Sequence, residues 1–578
     1  MTELLWHGKY RDGKKIEPVR IALPFQTIET ANLFSDHPAM WHNRLIWGDK
    51  KCVLPALLPE FAGKINLIYI DPPFDTGADF SFMTTLPYNN EGLSREPARV
   101  EQKAYRDNWG RGLDVYLQWF YETVVLLREL LTANGSIFVH LDWRTGHYGK
   151  AILDEVFGQD NLRNEIIWCY TGPGSPGMQQ FNRKHDTIFW YSKSSQWVFN
   201  EKAIRVPHHA KTKANFKAGL VGSGFVADTY ALDEQGKIPE DWWQIAIAGR
   251  YAVDGVNRVG YPTEKPALLL ERIIKTASNA GDLVLDCFCG SGTTAAVAEK
   301  LGRCWIACDL GRFAIHTTRK RLLSIENAKP FVVQNLDKYE RQAWQAAEFA
   351  DPTQSAYRNF ILDLYHAAPI DGYTWIHGVR HGRPVHVGSV DAPVTLDAVK
   401  SIVTEFWRVR EHYVSEHSNG VDVLGWDFAF DLNEAAMQIA ADAPILLAFK
   451  RIPREVLEKR AVEQGDIIFY ELAALDVEVR HLGQRIEIEL KNFFMPLDDV
   501  PQNASRAVSH WSQWIDYWAI DWDHHDDIFH NQWQAFRTRK QPDLPLQAFY
   551  EYNVAGSHTI VMKIVDIFGN ETTKVVTA

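Results

Sequence analysis

Apolar residues along the first 340 positions fall into blocks whose spacing switches between that of buried strands and that of amphipathic helices. Residues 43–71 read as strand, helix and strand. The last run, INLIYI, has almost no polar interruption, as expected of a strand covered on both faces. It stops abruptly at Asp71-Pro72-Pro73-Phe74. Leu117 to Leu131 carry helical periodicity, and Asn134-Gly135 ends it. A strand, SIFVHLD, follows, and then a helix that ends near Val156-Phe157-Gly158. Between about Cys169 and Gly260 the texture changes to glycine-proline turns and basic residues with few long periodic segments. ALLLERIIKTA, LVLDCFCGSGTTAAVAEKLG and CWIACDL then read as helix, strand, glycine loop, helix and strand. Alternating units of this kind predict an α/β fold built on a doubly wound, mainly parallel sheet.

Beyond about Pro330 the pattern is mixed. Residues 393–470 hold helical stretches and strands such as PILLAF, and the final segment alternates apolar and polar residues across turn signals, which predicts a β-sandwich-like domain. The expected organisation is a first domain over 1–340 with an inserted region at 169–260, a mixed α/β accessory domain over 341–470, and a β-rich C-terminal domain over 471–578.

Composition alters this picture little. With 578 residues the chain exceeds one ordinary core. Its start has no apolar leader segment and every apolar run is too short to span a bilayer, so it reads as soluble and cytoplasmic with no membrane partner. Six cysteines are too few for a disulfide framework. Cys287, Cys289, Cys304 and Cys308 flank or fill apolar runs and read as small buried strand residues, so no metal is expected. The net charge of -12 constrains solubility more than local function. Lys202, Arg205, Lys211, Lys213 and Lys217 form a local basic stretch without an acidic residue among them.

Two motifs carry chemistry. In Asp286-Cys287-Phe288-Cys289-Gly290-Ser291-Gly292-Thr293-Thr294 a buried strand ends, glycines turn the chain, and a helix begins. Glycine there lets the backbone approach a ligand that a Cβ would block. Asp309 ends the next strand, where a carboxylate can accept both hydroxyls of a ribose. The second motif, Asp71-Pro72-Pro73-Phe74, also ends a strand. An exocyclic base amine is a poor nucleophile because its lone pair is delocalised into the ring. A carboxylate and a backbone carbonyl, each accepting one amine hydrogen, would draw the nitrogen toward sp³ character. Consecutive prolines hold those acceptors rigid, and an adjacent aromatic ring can stack on a base rotated out of its helix.

These motifs resemble those of the β-group DNA amino-methyltransferases, the permuted class that includes the modification subunits of type III restriction systems. IYIDPPFDTG resembles the catalytic motif and DCFCGSGTT the cofactor motif. YPTEKPALLLERII resembles the segment closing the cofactor pocket, placing Lys265 and Pro266 there. GSIFVHLD and KHDTIFWYSK match the strands between them. The resemblance covers about residues 40–340 and implies a Rossmann-like methyltransferase sheet that uses S-adenosylmethionine. It assigns Asp71 and the Pro72 carbonyl to the target amine, with Pro73 stiffening the turn and Phe74 stacking on the base. Asp286, Cys287, Phe288, Gly290, Ser291, Gly292 and Thr293 would hold the cofactor, with Asp309 on its ribose. Phe74 departs from the commoner tyrosine but keeps the stacking face. Asp rather than Ser at position 71 favours adenine N6 over cytosine N4. Residues 169–260 become the target-recognition region, and the basic stretch a contact to the phosphates of double-stranded DNA. A homodimer and a restriction or phage-defence partner subunit are further implications of the family. A non-catalytic DNA-recognition subunit is the competing reading.

In the C-terminal third, Glu489-Leu490-Lys491 has the shape of a nuclease core, yet the alternation in QRIEIELKNF reads it as an amphipathic strand. Asp523, His524, His525, Asp526 and Asp527 contain metal-ligand types but read as a polar turn. The expected role of this third is binding a partner subunit, supporting dimerisation or contacting flanking DNA.

Overall fold

A computed structural model describes residues 3–31, 41–74, 78–85, 99–107, 112–172, 179–217, 232–248, 259, 261–349, 354–413, 419–429, 432, 443–457, 462–463, 467–496, 500, 508–538, 541–553 and 556–578. The chain divides into two compact units, one of residues 1–23, 39–82 and 103–334, the other of 24–38, 83–102 and 335–578.

The first unit is built on a large sheet. Its elements are β1 (Asn43–Trp47), α1 (Lys50–Phe61), β2 (Ile65–Ile70), α2 (Leu113–Leu130), β3 (Leu131–Leu141), α3 (Gly146–Phe157), β4 (Leu162–Cys169), β5 (His185–Ser192), α4 (Glu201–Ile204), α5 (Ala210–Lys217), β6 (Trp242–Gln244), α6 (Ala267–Ala277), β7 (Leu283–Asp286), α7 (Thr293–Lys300), β8 (Cys304–Asp309), α8 (Arg312–Leu323) and β9 (Phe331–Asn335). The strand order is β6-β4-β5-β3-β2-β7-β8-β1-β9. The centre is parallel: β3 pairs with β2, β2 with β7, β7 with β8 and β8 with β1. β5 runs antiparallel to β3 and β4. This is the doubly wound α/β sheet that the alternating pattern predicts.

The uninterrupted run INLIYI occupies the middle of the sheet. Ile65, Leu67, Ile68 and Ile70 are fully buried, each contributing roughly 1.5–3 kcal/mol of apolar burial. α6 follows its 3.6-residue period, burying Leu269, Leu270, Ile273, Ile274 and Ala277. α2 begins at Leu113, one turn earlier than its periodicity suggests, and Leu131 leaves it directly into β3.

Two boundaries differ from the sequence reading. His185–Ser192 falls inside the expected 169–260 insert but is a paired strand of the sheet. Its apolar residues are needed to extend that sheet, so the region free to serve recognition is shorter. Residues 24–38, expected in the first domain, cluster with the second unit. The reason is strand Gln26–Ala31, which pairs in parallel with Phe529–Asn531. There the buried Glu29 carboxylate meets Lys563 Nζ at 2.9 Å.

The rest of the second unit has two parts. A five-stranded sheet orders Ala368–Pro369, Gly378–Arg380, Arg383–Val387, Gly420–Gly425 and Leu446–Arg451, and helix Leu396–Tyr413 buries Val399, Ile402, Phe406 and Val409 in its core. Beyond it, a three-stranded and a four-stranded sheet share one core that includes Ile488, Trp518, Ile520, Met562 and Ile564. This is the expected sandwich. Its strand Arg485–Phe494 alternates as read: Ile486, Ile488 and Leu490 are buried. On the exposed face Lys491 pairs with Glu478 and Glu489 at 2.7 and 2.9 Å, so the nuclease-like triplet is a surface ion-pair ladder. Among the described residues no helix is long and apolar enough to cross a membrane.

Candidate active site

Parallel strands end together, and four of them deliver the chemistry-bearing residues to one edge. Leu67 and Ile68 of β2 lie opposite Val284 and Leu285 of β7. Asp286 of β7 lies opposite Ala307 of β8, two residues before Asp309. Asp71, the glycine loop and Asp309 thus meet at the carboxyl edge although the chain separates the first two by more than 200 positions. Sheets of this class bind ligands at that edge.

Asp71 sits at the tip of β2 with one oxygen committed. Its Oδ2 accepts from Lys265 Nζ. The other, Oδ1, is buried and has no hydrogen-bond partner among the described residues, with His140 Nδ1 a near neighbour at 3.8 Å. A buried acceptor left open in this way costs about 1–3 kcal/mol and marks a position where a donor is missing. Phe74 lies beside it, its ring centroid 5.9 Å from that of His140 and 5.8 Å from Lys265 Nζ.

His140 is the hub that sequence reasoning did not single out. It is fully buried on β3. Its Nδ1 is 3.0 Å from the Tyr69 hydroxyl and its Nε2 is 3.3 Å from Asp186 Oδ2 on β5. A carboxylate only accepts, which assigns the proton to Nε2 and leaves Nδ1 to accept from Tyr69. Burial raises the pKa of Asp186, but the hydrogen bond from His140, with the Lys265 charge and the Tyr170 hydrogen bond, outweighs it and holds the carboxyl below its usual range. Trp168 closes the wall, edge-on to His140 at 5.4 Å. His140 and Asp186 lie within GSIFVHLD and KHDTIFWYSK, where each is one polar residue in an apolar strand. The only signal available was that polarity.

The glycine loop is shaped by its two left-handed residues. Gly290 has φ +49 and Gly292 φ +72, and a Cβ on Gly292 would stand 2.6 Å from Thr318 Oγ1. Asp286 accepts from Phe288 N at 3.0 Å and from Thr294 Oγ1 at 2.5 Å. Asp309 accepts from Gly290 N at 2.9 Å and Gly311 N at 2.8 Å. Burial pushes Asp286 up to about 7 and Asp309 up to about 6. Both carboxylates hold the loop's shape, and among the described residues neither has a cationic partner.

The segment before α6 closes over this loop. The Lys265 carbonyl accepts from Thr293 Oγ1 at 3.2 Å. Arg321 links Glu264 at 3.1 Å to Thr293 Oγ1 at 2.8 Å and the Ser291 carbonyl at 3.0 Å. Pro266 is the N-cap of α6. Lys265 therefore does something the family resemblance did not assign, tying the pocket-closing segment to Asp71. Lys50 is a second residue that sequence reasoning missed. It is buried with Nζ 3.9 Å from the Trp119 ring and 5.7 Å from that of Phe288, and burial pushes its ammonium down to about 8. Cys287, Cys289 and Cys308 are buried and free, and burial raises their thiols; Cys308 is the strand residue expected, whereas Cys287 and Cys289 pack within the glycine loop beyond β7.

The first part of the basic stretch does not join this edge. Asn200, just before α4, donates its backbone N–H to Thr276 O at 2.8 Å and its side chain to Ser278 O at 2.9 Å, at the end of α6 that leads into the start of β7. Lys202 and Arg205 thus flank the amino edge. Arg205 is moreover spent on Asp233 at 2.5 Å and Glu201 at 3.3 Å. Lys211 and Lys213 are exposed on α5, and the Lys217 side chain lies outside the described residues. Trp243 is buried while its neighbour Trp242 is 55% exposed. In the second unit His525, Asp526 and His530 bring ligand atoms within 4.8 Å of one another, an arrangement the polar-turn reading did not foresee.

A family model described as DNA methylase matches residues 65–320, the span from β2 to α8. Over 200 residues the chain is 35% identical to the type II methyltransferase M1.MboII of Moraxella bovis, a stretch covering 34% of this chain and 75% of that protein. The chain belongs to the DNA methylase family. This DNA methylase is also 25% identical over 279 residues to the DNA adenine methyltransferase YhdJ of Escherichia coli (strain K12), covering 48% of this chain and 82% of that one. Over 349 residues it is 24% identical to the type III restriction-modification enzyme StyLTI Mod subunit of Salmonella typhimurium, covering 48% of this chain and 54% of the subunit. The matched region of the DNA methylase contains both motifs and the His140 hub, which makes it a DNA methyltransferase of the N6/N4 amino class.

Proposed function

We propose that this DNA methylase transfers a methyl group from S-adenosylmethionine to the N6 amine of adenine in a base rotated out of duplex DNA. The observation that carries the reading is the buried, partnerless Asp71 Oδ1 beside Phe74, one strand away from the glycine loop. The residues fit the cofactor. Asp286 and Asp309 are buried carboxylates without cationic partners, which suits a ligand bearing an ammonium, a sulfonium and ribose hydroxyls. Gly290 and Gly292 remove the side chains that would fill its seat.

When bound, the cofactor supplies a methyl group activated by its positive sulfur. The chain's own residues prepare the acceptor. Asp71 Oδ1 and the Pro72 carbonyl each accept one amine hydrogen, and Pro72 and Pro73 keep them from following a drifting base. Phe74 presents its ring to the base plane, backed by the buried His140. Positive charge develops on the amine as the carbon–nitrogen bond forms, and the fixed Asp71 carboxylate stabilises it electrostatically. The amine proton leaves afterwards. Lys265 orients the Asp71 carboxylate through its contact to Oδ2, leaving Oδ1 for the amine. Cys287, Phe288, Ser291 and Thr293 line or shape the cofactor side.

Adenine is favoured over cytosine by Asp71, where the cytosine-directed pattern has serine, and by the similarity to an adenine methyltransferase. The Mod-subunit relative supports a restriction or defence partner subunit as part of the same proposal. The test is transfer of labelled methyl from S-adenosylmethionine to unmethylated genomic DNA, followed by nucleoside analysis. The expected result is N6-methyladenine, reduced by roughly a thousandfold in Asp71→Ala, the scale of losing one oriented electrostatic group. Label in N4-methylcytosine would move the proposal to the other base. Cofactor binding with no transfer to any DNA would overturn it.

A further inference from the structure

We propose that Trp143, with Arg144 and Arg183 stacked against its ring, grips the DNA strand flanking the target base. The inference rests on the DNA methyltransferase reading and adds the surface that the misplaced basic stretch left unassigned. β3 carries His140 into the site and ends one residue later at Leu141. Trp143 and Arg144 follow at once, in the turn between β3 and α3, and so lie just past the carboxyl edge that His140 enters. β5 runs the other way, with Thr187 opposite Leu141. Residues 181–184 therefore leave β5 at the same edge.

The two segments meet there. The Arg183 guanidinium lies 3.7 Å and that of Arg144 4.7 Å from the Trp143 ring centroid. Trp143 is nonetheless 44% exposed, and Phe181 is 97% exposed. Such a rim suits a strand of nucleic acid: the exposed Phe181 ring and the uncovered part of Trp143 take sugars or bases, while the guanidiniums that Trp143 holds in place meet phosphates. Arg183 has only the Gln180 side chain, at 3.3 Å, and no carboxylate partner among the described residues. Arg144 pairs with Asp142 through one nitrogen, which fixes its plane and leaves its other donors free. A chain of net charge -12 that acts on a polyanion needs a local cationic edge of this kind, and Lys202 and Arg205, anchored beside the end of α6, do not supply it.

The experiment uses the full chain and sheared unmethylated genomic DNA. KM for DNA and kcat for methyl transfer are measured for wild type, Trp143→Ala, Arg183→Ala and Arg183→Lys, with S-adenosylmethionine binding followed by calorimetry as a check on folding. Trp143→Ala and Arg183→Ala are expected to raise KM for DNA at least tenfold, to lower kcat less than threefold, and to leave cofactor affinity unchanged. Arg183→Lys should recover part of the loss, since the charge stays and the planar stack goes. The slope of log affinity against log salt should flatten by about one for each phosphate contact removed. Lys202→Ala, at the opposite edge, keeps the wild-type KM. A KM for DNA unchanged in both alanine variants of an active enzyme would overturn the proposal and leave the rim to a protein partner. Wild-type protein that binds cofactor but neither binds nor methylates DNA would instead bring down the DNA methyltransferase reading itself.

Discussion

Asp286 and Asp309 are carboxylates that the fold removes from water without giving them a cation. Burial raises Asp286 from an ordinary 3.8 to about 7. The folded chain therefore binds this proton more tightly than the unfolded chain between about pH 4 and pH 7, and the group's contribution to stability falls as pH rises through that window. Asp286→Asn keeps the acceptor for Phe288 N and cannot ionise. Its stability relative to wild type, from urea denaturation without cofactor, should increase by about 2 kcal/mol between pH 5 and pH 8, at up to roughly 1.4 kcal/mol per pH unit. Saturating S-adenosylmethionine should shrink that gain, because a bound cation stabilises the ionised carboxylate. The motif residues were legible in the sequence because each set is contiguous. His140, Asp186 and Lys50 were not: their partners come from other strands, and a lone histidine in an apolar run looks like core.

At the scale of the element, the turn from β7 into α7 does two jobs with one backbone. Gly292 lets α7 start directly under the loop, and its left-handed φ of +72 presses the chain against the Thr318 side chain. Gly292→Ala puts a Cβ 2.6 Å from Thr318 Oγ1 and strains the backbone. It should cost about 1–3 kcal/mol of stability and weaken cofactor binding by tenfold or more, read by denaturation and calorimetry respectively. Glycine spacing, apolar runs and helical periods were enough to place β2, β3, α6, β7 and β8. The edge to which a segment returns was not readable. Lys202 and Arg205 share a texture with DNA-contacting loops, yet Asn200 anchors them to the end of α6.

For the molecule as a whole, the same limit appears across the length of the chain. Strand Gln26–Ala31 joins the C-terminal unit, and its Glu29 is buried against Lys563. Removing one member of a buried pair strands the other charge, so Glu29→Ala should destabilise the second unit by about 3 kcal/mol. Glu29→Met with Lys563→Met should recover much of it. Calorimetric melting of both variants checks this, and an unchanged melting temperature in Glu29→Ala would show that the pair is solvated.

Local order along the chain was sufficient for the alternating α/β pattern, the C-terminal sandwich and the two motifs, because buried strands, amphipathic helices and tight glycine turns each impose a short-range rule on residue type. Three-dimensional pairing was required to bring Asp71 within one strand of the glycine loop, to wire His140 between Tyr69 and Asp186, and to bring Arg183 of one segment against Trp143 of another. Those juxtapositions depend on strand register and direction, and the energies that select a register are summed over many weak contacts that leave no signature at any single position.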